Sequence, residues 1–388
     1  MPATADRLNG FSESVIRGTS RLSDRYGAIN LAQGFPDYDP PEVMLAALER
    51  AARSPVHQYA VTWGAPRLRQ ALARKIERFS GIEVDPERHL VVTCGSTEAM
   101  AVAMMTACNP GDRVVVFSPF YENYAADAIL CGAIPVYVPL HPPGFGFDRD
   151  ELALAFADKP KAIVLCNPGN PTGKVFTRDE LLFILQLAEA HDCFVITDEP
   201  YEHIVYAPHV HTYFAALPGA FDRTITCNSL SKTYSVTGWR IGYVHAPAQV
   251  IDKARKVHDF LTIGAAAPLQ EAAVAGLELP AEYYTGLTAL YTGKRDLFLG
   301  YLRQSGLHCS EPQGAYYVMA DISPLGFATD TEASAWFITT VGVAGVAGSS
   351  FFREPVQNFM RFHYAKTDAV LHAAGERLAR VCETRAAG

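Results

Sequence analysis

The chain has 388 residues, 49% of them hydrophobic and 19% charged, with a formal net charge of −8. That length exceeds one small core, so two domains are expected. The acidic balance, without a long basic run, argues against nucleic acid or an anionic membrane surface as the main partner. No apolar run approaches the ~20 residues of a membrane helix, and the N-terminus carries Asp6 and Arg7 without the apolar stretch of a secretory signal. Eight cysteines form no Cys-x-x-Cys pair, and Cys94, Cys166 and Cys227 close strand-like runs. Such cysteines behave as small buried hydrophobes, so a reduced cytoplasmic setting is expected rather than a disulfide framework or zinc site.

In chain order, residues 1–28 are polar with a weak helical pattern, and Ile29 to Pro41 is a loop punctuated by Gly34 and Pro36. Helices are predicted from Glu42 to about Arg53 and from Gly64 to Phe79, the second with Leu68, Leu72 and Ile76 on one face. From Leu90 the grammar becomes strand, loop, helix, repeated. Strands are expected at Leu90–Thr93, Arg113–Phe117, Ile134–Val138, Ala162–Leu165, Cys193–Thr197 and Arg223–Cys227. Helices are expected at Thr97–Ala107, at Tyr121–Leu130, and after Thr177, where Glu180 completes a capping-box spacing. Short β-branched runs in this alternation indicate an α/β layered domain with a mostly parallel sheet. Beyond residue 270 the pattern changes: Gln270 to Gln304 is largely helical with breaks near Pro280 and Gly286. Strands at Gly314–Asp321 and Phe359–Tyr364 and helices at Thr331–Thr339 and Asp368–Ala379 then suggest a smaller α+β domain.

Ligands in open α/β sheets bind at the carboxyl ends of the strands, and here each end offers a chemical group. Gly95-Ser96-Thr97 opens a helix whose N–H groups suit a phosphate, although a plain cap also accounts for it. Tyr121 could stack on a flat ring or be a core aromatic. Asn170 lies in the Gly/Pro-fixed string Asn167-Pro168-Gly169-Asn170-Pro171-Thr172-Gly173. Asp198 ends an apolar strand, where an unpaired acid is costly to bury; a cap is the alternative, and its place in a series of strand-end groups argues against it. Lys232 lies in Ser229-Leu230-Ser231-Lys232-Thr233-Tyr234, with Arg240 eight residues on. A lysine amine is useful when it forms a Schiff base with a carbonyl cofactor, and Ser229 and Arg240 would suit a phosphate beside it.

The Lys232 segment, closed by Gly238-Trp239-Arg240-Ile241-Gly242, resembles the lysine signature of the class I and II aminotransferases, and Asn167–Gly173 resembles their Asn-Pro-Thr-Gly turn. The resemblance covers about Ile29 to Arg380 and implies a fold type I enzyme dependent on pyridoxal 5′-phosphate. It implies a large domain (46–280) with a mostly parallel sheet of about seven strands, and a small α+β domain (1–45 with 281–388). Lys232 would carry the cofactor and act as general acid–base. Asp198 would pair with its ring nitrogen, Tyr121 stack on the ring, and Asn170 and Tyr201 contact the phenolic oxygen. Gly95, Ser96, Thr97, Ser229 and Arg240 would hold the phosphate, with Tyr59 reaching it across a homodimer interface. Arg361, in Asn358-Phe359-Met360-Arg361-Phe362, would clamp the substrate α-carboxylate beside Gly34 and Asn170. Gln33-Gly34-Phe35-Pro36-Asp37, Gln58-Tyr59, and Lys256-Val257-His258 with Gln270 narrow the resemblance to the kynurenine, glutamine and methionine aminotransferase branch.

The expected reaction moves the α-amino group of an amino acid to a 2-oxo acid by a ping-pong route. A C–S β-lyase needs the same Schiff base and acid, and spacing alone does not separate the two. A pyridoxal-phosphate-sensing regulator would carry a DNA-binding domain ahead of this region; a nucleotide-binding module would carry Gly-x-Gly-x-x-Gly after a strand, which is missing. No position-matched second cation appears for a side-chain carboxylate. Tyr38, Tyr59 and Ile263 suggest a neutral donor of aromatic, methionine or glutamine type, and the Thr262-Ile263-Gly264 loop is expected at the dimer interface.

Overall fold

A computed structural model describes residues 2–386. After a two-residue strand β1 (Ile29–Asn30), one mixed sheet contains β2 (Leu90–Thr93), β3 (Arg113–Ser118), β4 (Ile134–His141), β5 (Gly146–Phe147), β6 (Ala162–Cys166), β7 (Phe194–Asp198), β8 (Thr224–Ser229) and β9 (Gly242–His245). Its spatial order is β2-β9-β8-β7-β6-β3-β4-β5. The pairs from β4 across to β8 are parallel, whereas β9 runs antiparallel to both β8 and β2. The strand period explains the two faces. Ala162, Val164, Ile196 and Ile225 join a core that also contains Met100, Ile251 and Ala254. Ile163, Leu165 and Val195 join the opposite core, with Phe176 and Leu181.

The C-terminal third forms a second sheet from β10 (His308–Cys309), β11 (Tyr317–Asp321), β13 (Val346–Ala347) and β14 (Phe359–His363), ordered β10-β11-β14-β13. The remaining strand, β12 (Val343–Ala344), pairs with β1, so the N-terminal segment is built onto the C-terminal third. A separate core holds this region, with Tyr291, Phe298, Phe337, Phe362 and Leu371 buried in it.

The Thr177 capping box forms as predicted, and the Asp368–Ala379 helix has the predicted limits. Several elements differ from expectation. Gly286 does not interrupt its helix, which runs unbroken from Ala281 to Gln304. An interior glycine costs a helix ~1 kcal/mol, but Tyr284, Leu287, Tyr291 and Phe298 bury one face of this helix and outweigh that cost. The short strand β9 and the helices Arg149–Ala157 and Ala248–Thr262 were not predicted. The sheet has eight strands because β5 adds a two-residue hairpin edge to β4.

Candidate active site

The carboxyl ends of β3, β6, β7 and β8 converge with the start of the Gly95–Ala107 helix. Lys232 follows β8. Its amine donates to the Gly34 carbonyl at 3.1 Å, and Tyr316 donates to the same oxygen at 3.0 Å. Burial, then the charge of Arg240, lowers the Lys232 pKa to about 8, with Asp198 opposing. An amine of that pKa is partly neutral near physiological pH and can act as a nucleophile or base.

Asp198 ends β7 and is buried. One carboxylate oxygen accepts from the Tyr124 hydroxyl at 2.7 Å, and the other, Oδ1, has no partner among the described residues. Burial pushes the Asp198 pKa up to about 7, and the Tyr124 bond offsets part of the rise. A buried oxygen without a donor is unusual, and a protonated ring nitrogen is the kind of group that completes it.

Arg361 lies in β14, between β11 and β13. Its guanidinium is enclosed by the rings of Tyr317 and Phe351, at 4.5 and 4.7 Å. It donates to Asn170 Oδ1 at 2.8 Å and to the Ala32 carbonyl at 2.5 Å, while Nε has no partner among the described residues. Asn170 therefore spends its oxygen on Arg361 and keeps its NH₂ to donate elsewhere. The Tyr201 and Tyr317 hydroxyls share a hydrogen bond of 2.9 Å. Tyr121 is half-buried, edge-on to Tyr124 with ring centroids 5.8 Å apart.

At the helix start Gly95 has φ +80°, and a Cβ there would overlap the Arg240 guanidinium. Arg240 reaches the Cys94 carbonyl at 3.4 Å and Thr97 Oγ1 at 3.5 Å. The Ser229 hydroxyl donates to Ser231 Oγ at 2.7 Å. No side chain caps this helix, so its leading amides, at Gly95, Ser96 and Thr97, remain available to an anion.

Two predicted residues stand apart from this cluster. Tyr38 packs on the C-terminal core, its ring centroid 6.4 Å from that of Tyr291 and its hydroxyl buried without a partner. Tyr59 is 84% exposed. Sequence reasoning missed Tyr124, Tyr316 and Tyr317. Tyr124 lies in the Asn123–Leu130 helix and Tyr121 just ahead of it, so their meeting depends on the turn between them; no local pattern marks Tyr316 and Tyr317 either.

The lysine amine, the orphaned Asp198 oxygen, the unpaired Arg361 Nε and the glycine cradle beside Arg240 together fit pyridoxal phosphate. The family model for aminotransferase class I and II matches residues 26–378, and the chain belongs to that family. It is a transaminase dependent on pyridoxal phosphate, acting on amino acids and 2-oxo acids. It is similar to the solved N-succinyldiaminopimelate aminotransferase of Mycobacterium tuberculosis (TM-score 0.94, 36% identity, 97% of this chain and 99% of that one). A solved Escherichia coli protein with methionine aminotransferase function is also similar (TM-score 0.94, 33% identity, 98% and 100% covered). Human kynurenine–oxoglutarate transaminase 1 is 32% identical over 96% of this chain and 97% of its own length.

Proposed function

We propose that this enzyme transfers the α-amino group of a neutral amino acid to a 2-oxo acid in two half-reactions at the Lys232 site. When bound, the cofactor supplies an electron-withdrawing ring that acidifies the substrate α-carbon. Lys232 carries the cofactor and then, as the freed amine, moves the α-proton. Asp198 Oδ1 holds the ring-nitrogen proton, and Asn170 and Tyr201 donate to the phenolic oxygen. Tyr121 covers the ring face, while Gly95, Ser96, Thr97, Ser229 and Arg240 hold the phosphate. Arg361 clamps the α-carboxylate through its unpaired face, with Gly34 alongside; Tyr38, packed against Tyr291 in the C-terminal core, is left out of the substrate contacts.

The observation that supports a neutral donor is that Arg240 and Arg361, the cations that lower the Lys232 pKa, already have roles in this reading, at the phosphate and the α-carboxylate. The sequence offers no position-matched further cation for a side-chain carboxylate. The names of the relatives span methionine, kynurenine and N-succinyldiaminopimelate, so a donor panel is the test. Methionine, glutamine, kynurenine and phenylalanine, with 2-oxoglutarate, are expected to react at least ~10-fold faster in kcat/KM than aspartate, a difference of about 1.4 kcal/mol. A strong preference for aspartate would overturn the reading. Lys232→Ala is expected to abolish multiple turnover with every donor.

Tyr59, Phe260, Leu261 and Ile263 are exposed apolar side chains on two segments of the chain. This supports a homodimer in which Tyr59 reaches the other subunit's phosphate. Sizing of the purified protein is expected to give twice the 42.3 kDa chain mass; a fully active monomer would exclude it.

A further inference from the structure

Behind the Gly95 turn lies a buried ion pair. Glu98 accepts the Cys94 amide through Oε2. Its Oε1 faces His258 Nδ1 and accepts from Thr262 Oγ1, both at 2.7 Å. The His258 side chain is fully buried, and its Nε2 faces the Thr62 carbonyl at 2.8 Å. Both ring nitrogens therefore meet acceptors, and a neutral imidazole donates through only one. This geometry calls for an imidazolium. Burial disfavours that charge, but the bond to Glu98 and its carboxylate outweigh burial and raise the His258 pKa; Asp259, on the same helix, adds to the rise. Burial likewise opposes ionisation of Glu98, yet His258 and the Cys94 amide hold its carboxyl below the usual range. Cys94 is the other titratable group facing Glu98.

Glu98 would be an unfavourable neighbour for a phosphate. It sits in the first turn of the helix whose leading amides form the proposed phosphate site, and its charge opposes a dianion there. We propose that His258 is a positioning residue for the cofactor phosphate: it cancels the Glu98 charge and fixes the Cys94–Thr97 turn. Through Thr62 it also ties that turn to the segment carrying Tyr59. Gln270 braces the same junction, accepting from the Ala65 amide at 2.7 Å and donating to the Ala265 carbonyl at 2.8 Å. The proposal rests on the reading that places phosphate at Gly95–Thr97.

The test compares the affinity of full-length cofactor-free protein for pyridoxal phosphate and for pyridoxal, which lacks the phosphate. Both bind through Lys232, so the ratio isolates the phosphate. His258→Gln is expected to weaken pyridoxal phosphate roughly 10- to 100-fold, the loss of one charge-assisted bond, with little change for pyridoxal. Glu98→Gln in the His258→Gln background is expected to restore much of that loss, because the opposing charge is gone. Glu98→Gln alone is expected not to weaken the phosphate form. Above about pH 7, where the phosphate ester is already a dianion, the ratio in the parent protein falls as pH rises through the raised His258 pKa, and that fall is absent in His258→Gln. Equal losses for both ligands, or no recovery in the double variant, would overturn the proposal. Failure of the phosphate-site reading looks different: the parent protein itself would not distinguish the two ligands, and Arg240→Ala would leave the ratio unchanged.

Discussion

Asp198 and Glu202 lie four residues apart, and both are buried, yet their pKa values move in opposite directions. Glu202 is enclosed by its partners: Lys75 forms an ion pair with it and Asn228 donates at 2.7 Å. Burial alone would raise its pKa, but Lys75 and His203 hold it at about 2. Asp198 has Tyr124 on one oxygen and nothing on the other, and its pKa rises to about 7. Glu202 is complete within this chain. Asp198 is not, and an incomplete buried acid is where a ligand contributes most.

Three substitutions test whether the two acids differ in this way. Asp198→Asn is expected to lower kcat/KM by on the order of 10³- to 10⁴-fold, about 4–5.5 kcal/mol, with no loss of stability in denaturant titration. An equally active variant would remove Asp198 from the chemistry.

Glu202→Gln should show the reverse. Leaving Lys75 without its partner is expected to cost about 3–5 kcal/mol of unfolding free energy, while kcat/KM of the folded protein stays within ~3-fold of the parent. Because the folded pKa of Glu202 is depressed, the parent keeps this stability above pH 4.5 and loses it as pH falls towards about 2. Unchanged stability in the variant would break the contrast.

The smallest effect is at Asp127, another buried acid, whose Oδ2 has no partner and whose pKa burial, then the Asp198 charge, raises to about 7. A raised carboxyl pKa means that the folded state gives up its proton less readily than the unfolded chain. Stability therefore falls as pH rises from 3.8 to about 7. Asp127→Asn is expected to flatten that slope and gain about 2–4 kcal/mol above pH 7. A pH profile of thermal unfolding that matches the parent would refute it.

Much of the fold was legible because short β-branched strands alternate with amphipathic helices, and that local pattern survives without tertiary information. Gly286 was misread as a break because a glycine's cost is local, whereas the packing that overrides it comes from residues far along the chain. The strand β9, Gly242-Tyr243-Val244-His245, was missed because it opens on glycine with a single β-branched residue and is defined by pairing with β8 and β2. At the candidate site, the lysine, aspartate and asparagine strings were visible as strings. Of their polar partners, Tyr124 was missed, 74 residues from Asp198, and Arg361, 191 residues from Asn170, entered only through the family resemblance.

Contiguous motifs reveal which residue types stand at the strand ends, and with them the class of chemistry, before any folding is known. Which polar atoms are satisfied and which are left open emerges in the folded chain alone. That follows from burial and long-range contact, which set whether Asp198 keeps an orphaned oxygen and whether His258 must carry two protons.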